Sequence, residues 1–559
     1  MGIQQRPSDP SPLPVSRWLA CLGEEACCPF PDVYGNDPAV WARRRVLLRG
    51  TLERYRGAFD DGKVRVFRAP GRINLRGMHV DTHGGFLNLM THDREVVVVA
   101  AASPDEDVRF VNTAPEHQDI AFSLRYWQDR PALGVDWARL IASPEADTRR
   151  VAWGGGRGAY VEGAMLRAAH AMPALATSGL RAAVGSDLPA GAALSSSAAL
   201  GVAVLMAALG SHDARLSPDE RIHAARDAEW FTGSRCGLSD QAAIVLGRRG
   251  QYVHVALSPS EPALANAVHA ALPDNVTVLV ADSRTVRSIS GAQKIGYTRN
   301  RFAYSMALEI LRHEMASMDY PPECVDEANR LSRITPERLG GDARLYELLL
   351  RIPEAISLDE LHDRYALPSL DAAFRQYFGD MPPEAIGGAI ALRGPLLFGL
   401  AESERARLWP LALQQGDVPL AGRLMTIGHD GDRVVDGNGA TLRRPVDDAT
   451  LQRLIAEGIP IALCPGDYGA STPVLDGLVD AALTAGALGA SLTGAGLAGC
   501  VIALCESSHA DVVAEGMRRW LASPDYAARA GRQLGADEIQ AAVVTNHATA
   551  GASELVLEA

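Results

Sequence analysis

Three short stretches hold most of the residues able to do chemistry. GRINLRGMHVDTHGG, residues 71–85, sets Arg72, His79 and Asp81 among glycines, with a methionine, Met78, in their midst. DLPAGAALSSSAAL, residues 187–200, passes from the end of an expected strand through a small-residue turn into three serines and an apolar helix. CGLSDQ, residues 236–241, presents Asp240 just after Gly237. A hydroxyl is a weak nucleophile until its proton has an acceptor, and a carboxylate within hydrogen-bond reach supplies one. A neighbouring arginine keeps that carboxylate ionised and offsets charge on a phosphoryl group in transit. Small side chains at Pro189, Gly191 and Ala193, with Leu194 and Ser195–Ser197 behind them, let a phosphate reach the free N–H groups at a helix start. Each stretch also has a plain structural reading. The serines can be an ordinary helix cap with a small packing face, and Asp240 a capping aspartate.

Two familiar phosphate or dinucleotide signatures are excluded. No GxxxxGK[ST] occurs, so the serine-rich turn is not a Walker loop. GAGLAG, residues 494–499, satisfies GxGxxG, but strand-like CVIAL follows it where a dinucleotide fingerprint needs a helix.

The elements that must carry these residues follow from periodicity. A helical pattern runs from Asp37 to about Ala58. VRVFRAP, EVVVVAAAS, VRFVNT, LRAAVGSDL, QYVHVAL and VTVLVADS read as strands, whereas AYVEGAMLRAAHAM, SSSAALGVAVLMAALG and SPDERIHAARDAEWF read as helices. A break near residue 285 opens a helical half containing RNRFAYSMALEILRHEM and ERARLWPLALQQ. Residues ~315–390 carry several short helical runs and read as an inserted helical subdomain. The remainder mixes STPVLDGLVDAALTAG with ASLTG, CVIAL and AAVVTNH, an α+β layer. The expected division is an N-terminal arm over 1–40, surface-hugging or loose, a first domain over 41–285 and a second over 286–559.

With 559 residues the chain is long enough for two or three domains. A net charge of -13 argues against a general phosphate-backbone binder, so no nucleic-acid partner is expected. Eight scattered cysteines without a CxxC pair predict neither a disulfide framework nor structural zinc. The absence of a charged-then-apolar leader and of long apolar runs predicts a cytoplasmic protein with no membrane partner.

RAPGRINLRGMHVDTHGG, LPAGAALSSSAAL and SLTGAGLAGC, in that order, resemble the three motifs of the GHMP kinases, most closely the galactokinase branch. CGLSDQ and GYTRNR (296–301) resemble two further segments of that branch. The resemblance implies an α+β fold of two domains, S5-like then ferredoxin-like, with the active site between them. It implies ATP-dependent, magnesium-assisted phosphorylation of the anomeric hydroxyl of a galactose-like sugar by a monomer or dimer. Asp240 is then the catalytic aspartate and Arg72 its partner. Met78, His79, Asp81, Gly237 and Tyr297 contact the sugar. The turn 189–197 and Gly494 and Gly496 hold ATP, and Ser196, Ser197 and Glu229 serve the metal. A second class stays open: a catalytically weak or inert sugar sensor that acts through a protein partner.

Four departures from the family pattern bear on substrate and metal. Met78 stands where galactokinases carry a glutamate that bonds the sugar's distal hydroxyl, which a thioether cannot replace. A galacturonate, an L-arabinose, a 6-deoxy sugar or galactose itself bound less selectively would each be compatible, and Met78→Glu is expected to move preference toward galactose. Arg76 shares a face with Met78 in an extended segment, which suits a carboxylate partner, with a surface arginine as the plainer reading. The metal-binding glutamate falls on Ala228, flanked by Asp227 and Glu229, so either a local shift lets Glu229 serve or metal binding is altered. Ala193 and Ala498 replace glycines, and the insertion at ~315–390 is foreign to ordinary galactokinases.

Overall fold

The structure is a computed structural model and describes residues 4–5, 11–23, 27–128, 136–189, 191–257, 267–286, 291–318, 320–379, 381–437 and 439–557. Two long antiparallel strands, β1 (Lys63–Arg76) and β2 (Phe86–Ala102), form its spine. The sheet is extended by β3 (Asp107–Asn112), β4 (Ile120–Ser123), β5 (Leu180–Ser186), β6 (Gln251–Ala256) and β7 (Val268–Ala271), in the order β7-β6-β2-β5-β3-β4. Val96–Ala100 of β2 are buried throughout, because helices cover one face and an N-terminal layer the other. This explains an unbroken run of β-branched residues where a half-exposed strand would alternate.

The second sheet is antiparallel, with β8 (Val276–Asp282), β9 (Gly489–Leu492), β10 (Cys500–Glu506) and β11 (Val543–Thr545) in the order β9-β10-β8-β11. A last strand, β12 (Ser553–Leu555), returns to the first sheet and pairs with β1.

Helix α1 (Pro38–Phe59) begins at Asp37, whose side chain accepts from the N–H groups of Ala39 and Val40. Helices α2 (Arg157–Ala171), α3 (Ser196–Gly210), α4 (Pro218–Trp230) and α5 (Ser239–Leu246) stack on the first sheet. Small residues set their closeness. A Cβ on Gly163 of α2 would meet the Ala228 carbonyl at 2.5 Å, and one on Gly210 of α3 the Phe67 ring at 2.6 Å. Beyond the first sheet come α6 (Gly291–Ser317), α7 (Arg393–Gln414), α8 (Val418–Asp432), α9 (Pro473–Thr484) and α10 (Ala510–Leu521). The short helices between Pro322 and Phe378 pack with α6 and α7 around Leu345, Leu348 and Leu349, in the region expected to be helical.

The observed layout differs from the expected division in two places. Strand β8 lies in the second sheet, so the chain crosses between layers before Val276 rather than near 285. Residues 546–555 cross back. Neither crossing is encoded locally, because a buried apolar strand reads alike in either sheet. The segment read as an arm is packed where it is described: Trp18, Leu19, Phe30, Tyr34 and Val40 are buried in one cluster with Val64, Val66, Val97 and Val99.

Candidate active site

Strand β1 does not stop at Pro70, as its apolar run predicts. It continues to Arg76 through irregularities at Pro70/Arg72 and Asn74/Arg76, which accommodate the proline and re-aim the side chains. Arg72 thereby reaches a cleft of about 810 Å³ between the two sheets. Its Nη2 lies 2.7 Å from Oδ1 of Asp240, at the first turn of α5. Its Nη1 donates to the Ala193 carbonyl at 2.6 Å, and its N–H to the Leu194 carbonyl at 3.1 Å. The Ser195 hydroxyl donates to Oδ2 of Asp240.

That last bond decides between the two readings of the serine turn. Ser195 occupies the N-cap of α3 with φ +59°, and its side chain makes no capping bond. The N–H groups at the start of α3 are left without a side-chain cap at the cleft, an arrangement that can hold an anion. Ala193 also has positive φ, +56°. The glycine turn 494–499 packs directly on this loop, since a Cβ on Gly499 would sit 2.4 Å from that of Ala193. GAGLAG leads into β10, a strand, as the exclusion of a dinucleotide fingerprint requires.

Pro189, Gly191, Ala193, Ser195–Ser197, Gly494 and Gly496 all line the cleft. Leu194 does not: its side chain is buried in the core, and it contributes only its carbonyl to Arg72. Glu229 lines the cleft from the end of α4, accepting from Ser197 Oγ at 2.9 Å and Gln241 Nε2 at 2.8 Å. Of the three neighbouring positions, Glu229 is the one that faces the cleft. Ala228 is buried in the core, Asp227 pairs with Arg167 and Arg226, and Glu229 turns inward. Burial, and then the charge of Asp240, push the Glu229 carboxyl up to about 7.

His79, Asp81, Gly237, Tyr297, Arg301 and Tyr468 line the other end. Asp81 Oδ2 accepts from Ser239 Oγ at 2.8 Å, and Gly237 is needed because a Cβ there would fall 1.9 Å from the same oxygen. His79 stacks on Tyr468 with ring centroids 4.5 Å apart. Asn74, Cys236, Ser239 and Arg301 were not singled out in the motifs. Of these, Ser239 and Cys236 lie within CGLSDQ and Arg301 closes GYTRNR, so their segments were the available signal.

Met78 is a correction. It is 2% exposed and joins the apolar cluster of Phe398, Leu279 and Ala281, and it is not among the lining residues. The turn that displays His79 faces Met78 into the second layer, so a reading of C6 by this side chain has no support. Arg76 is neither a surface residue nor a sugar ligand. It is fully buried, with Nη1 bonded to the carbonyls of Leu424 and Met425 and Nη2 to Ser491.

Family comparisons agree with this geometry. The GHMP kinases N terminal domain matches residues 159–248, the GHMP kinases C terminal domain residues 411–523, and the galactokinase galactose-binding signature residues 53–102. The chain thus carries both GHMP kinase domains together with the galactokinase galactose-binding signature. It is 29% identical to a galactokinase of Chloroflexus aurantiacus over 266 residues, 47% of this chain and 59% of that one. It is 30% identical to a galacturonokinase of Arabidopsis thaliana over 192 residues, 34% of this chain and 44% of that one. The matched stretch spans about half the length of these curated relatives. In fold it is similar to Lactococcus lactis galactokinase complexed with galactose, with a TM-score of 0.56 at 18% identity, covering 90% of this chain and 98% of the other. Among the described residues no helix is long and apolar enough to cross a membrane.

Proposed function

We propose that this chain is an ATP-dependent kinase that phosphorylates the anomeric hydroxyl of a galactose-like monosaccharide. The observation that carries the reading is the joining of Asp240, Arg72 and Ser195 at the uncapped start of α3. A hydroxyl beside Asp240 passes its proton to the carboxylate as its oxygen bonds to the γ-phosphorus. The bond from that phosphorus to the bridging oxygen breaks, and ADP leaves with the electron pair. Arg72 fixes Asp240 through their ion pair and offsets charge on the moving group, while Ser195 orients the second carboxylate oxygen. Backbone N–H groups of the 191–197 turn hold the phosphates. Asp81 and His79 are placed for sugar hydroxyls. The galactokinase and galacturonokinase relatives support a galactose-configured acceptor.

Magnesium is the expected companion of ATP here. Oxygen ligands suit it, and Glu229 with the hydroxyls of Ser197 and Ser196 offers them. A carboxyl held near 7 by burial and then by a neighbouring acid is a group that a cation would relieve. When bound, the ion would neutralise phosphate charge.

ADP release across galactose, L-arabinose, fucose and galacturonate tests the proposal, with Asp240→Asn alongside. The variant should keep nucleotide affinity and lose roughly 10²–10⁴-fold in turnover. Equal turnover in variant and parent removes Asp240 from the mechanism. Sugar-dependent partner binding without ADP release would instead favour the sensor.

A further inference from the structure

The sugar end of the cleft contains a cation that phosphoryl transfer does not use. Arg301, on α6, is half-buried and lines the cleft beside His79, Asp81, Tyr297 and Tyr468. Its Nη2 donates to the Arg235 carbonyl at 2.8 Å, and its guanidinium carbon stands 5.5 Å from the Tyr377 ring centroid. Buried arginines of this protein meet carboxylates: Arg72 meets Asp240, Arg68 meets Glu95, and Arg76 and Arg405 meet Glu402. Among the described residues Arg301 has no such pair. Asp81, the acid of this end, is engaged with Ser239 through Oδ2 and makes no ion pair with it.

A guanidinium partly withdrawn from water, with no carboxylate beside it, favours an anion. The phosphates lie at the other end of the cleft, against Arg72 and the serine turn, so they do not answer this need. The anion must therefore arrive with the acceptor. Guanidinium geometry matches a carboxylate through two parallel N–H···O bonds. Met78, turned into the core, puts no competing acid at this end.

We propose that the acceptor is a hexuronic acid and that Arg301 binds its carboxylate. This rests on the sugar-kinase reading and narrows it; the transfer step at Asp240 is the same.

The test is kcat/KM for D-galacturonate and D-galactose, by ADP release, in the parent, Arg301→Gln and Arg301→Lys. The parent should prefer galacturonate by about 10-fold or more, from the discrimination a buried charge pair supplies. Arg301→Gln should collapse that ratio by about 100-fold, mainly through KM, and Arg301→Lys should restore part of it. Equal losses on both sugars would reduce Arg301 to a structural role and overturn the proposal. A parent that prefers galactose overturns it however the variants behave, while leaving the kinase reading intact. Release of ADP with neither sugar, nor with any of the wider panel, defeats the kinase reading itself.

Discussion

Ala193 shows how one residue's backbone can serve a neighbour. Its φ of +56° is unfavourable for a side chain with a Cβ, yet it aims the Ala193 carbonyl at Arg72 Nη1. Relief of left-handed strain, about 1–2 kcal/mol, is opposed by the ~0.5–1 kcal/mol that glycine loses in the unfolded chain. Ala193→Gly should therefore stabilise the protein by about 0–1.5 kcal/mol, read from chemical denaturation. Glu229 gives a second prediction. Its folded pKa, about 7, lies above the ordinary glutamate value, so the folded state keeps a proton that the unfolded state releases. In the absence of ligands, the contribution of this group to stability falls as pH rises from about 4.5 to about 7. Glu229→Gln should flatten that slope in a pH series of denaturation midpoints, and an unchanged slope would place the titration elsewhere.

Helix α7 supplies the support that holds the HVD turn. Glu402 Oε1 accepts from the N–H groups of Gly77 at 2.7 Å and Met78 at 3.1 Å. Its other oxygen meets Arg405 Nε at 2.8 Å and Arg76 Nη1 at 3.5 Å, all of it out of water. A carboxylate shared by two guanidiniums stays ionised: burial raises its pKa, but the opposing charges of Arg76 and Arg405 leave it lowered overall. Removing it would strand two buried cations and two backbone donors. Glu402→Ala should cost about 3–5 kcal/mol and should raise KM for the sugar through His79. Arg76 was visible in the sequence as an unusual residue, but its partner is more than 300 positions away, and no local pattern points to it.

The two sheets are tied together by the segment after β11. Thr549 is buried, accepting from Thr91 at its carbonyl. Arg68 donates to the carbonyls of Ala550 at 2.6 Å and Gly551 at 2.8 Å. The N–H groups of Gly551 and Ala552 then bond Gly247 and Ile244, satisfying carbonyls at the end of α5. The tail thus caps the helix whose other end presents Asp240. A Cβ on Gly551 would sit 2.8 Å from the Val245 carbonyl and 2.9 Å from those of Gly247 and Ile244. Gly551→Ala should destabilise the protein by about 2 kcal/mol and lower kcat more than it changes nucleotide affinity. Unaltered turnover would show that α5 needs no such cap.

Local chemistry is written in the sequence wherever one segment suffices. Small residues before the serines require a backbone open to anions, and strand or helix periods place most elements, because both depend on neighbours within a few positions. The lining roles of His79, Asp81 and Ser195 were legible on that basis. Folding decided the rest. Met78 and Arg76 lie in the most informative motif, yet they face the core, because a strand's irregularities and the elements packed behind it determine which side chains meet the cleft. The inward turn of Glu229, the crossing of β8 and the return of β12 likewise depend on contacts between residues distant in the chain, whose pairing no local pattern carries.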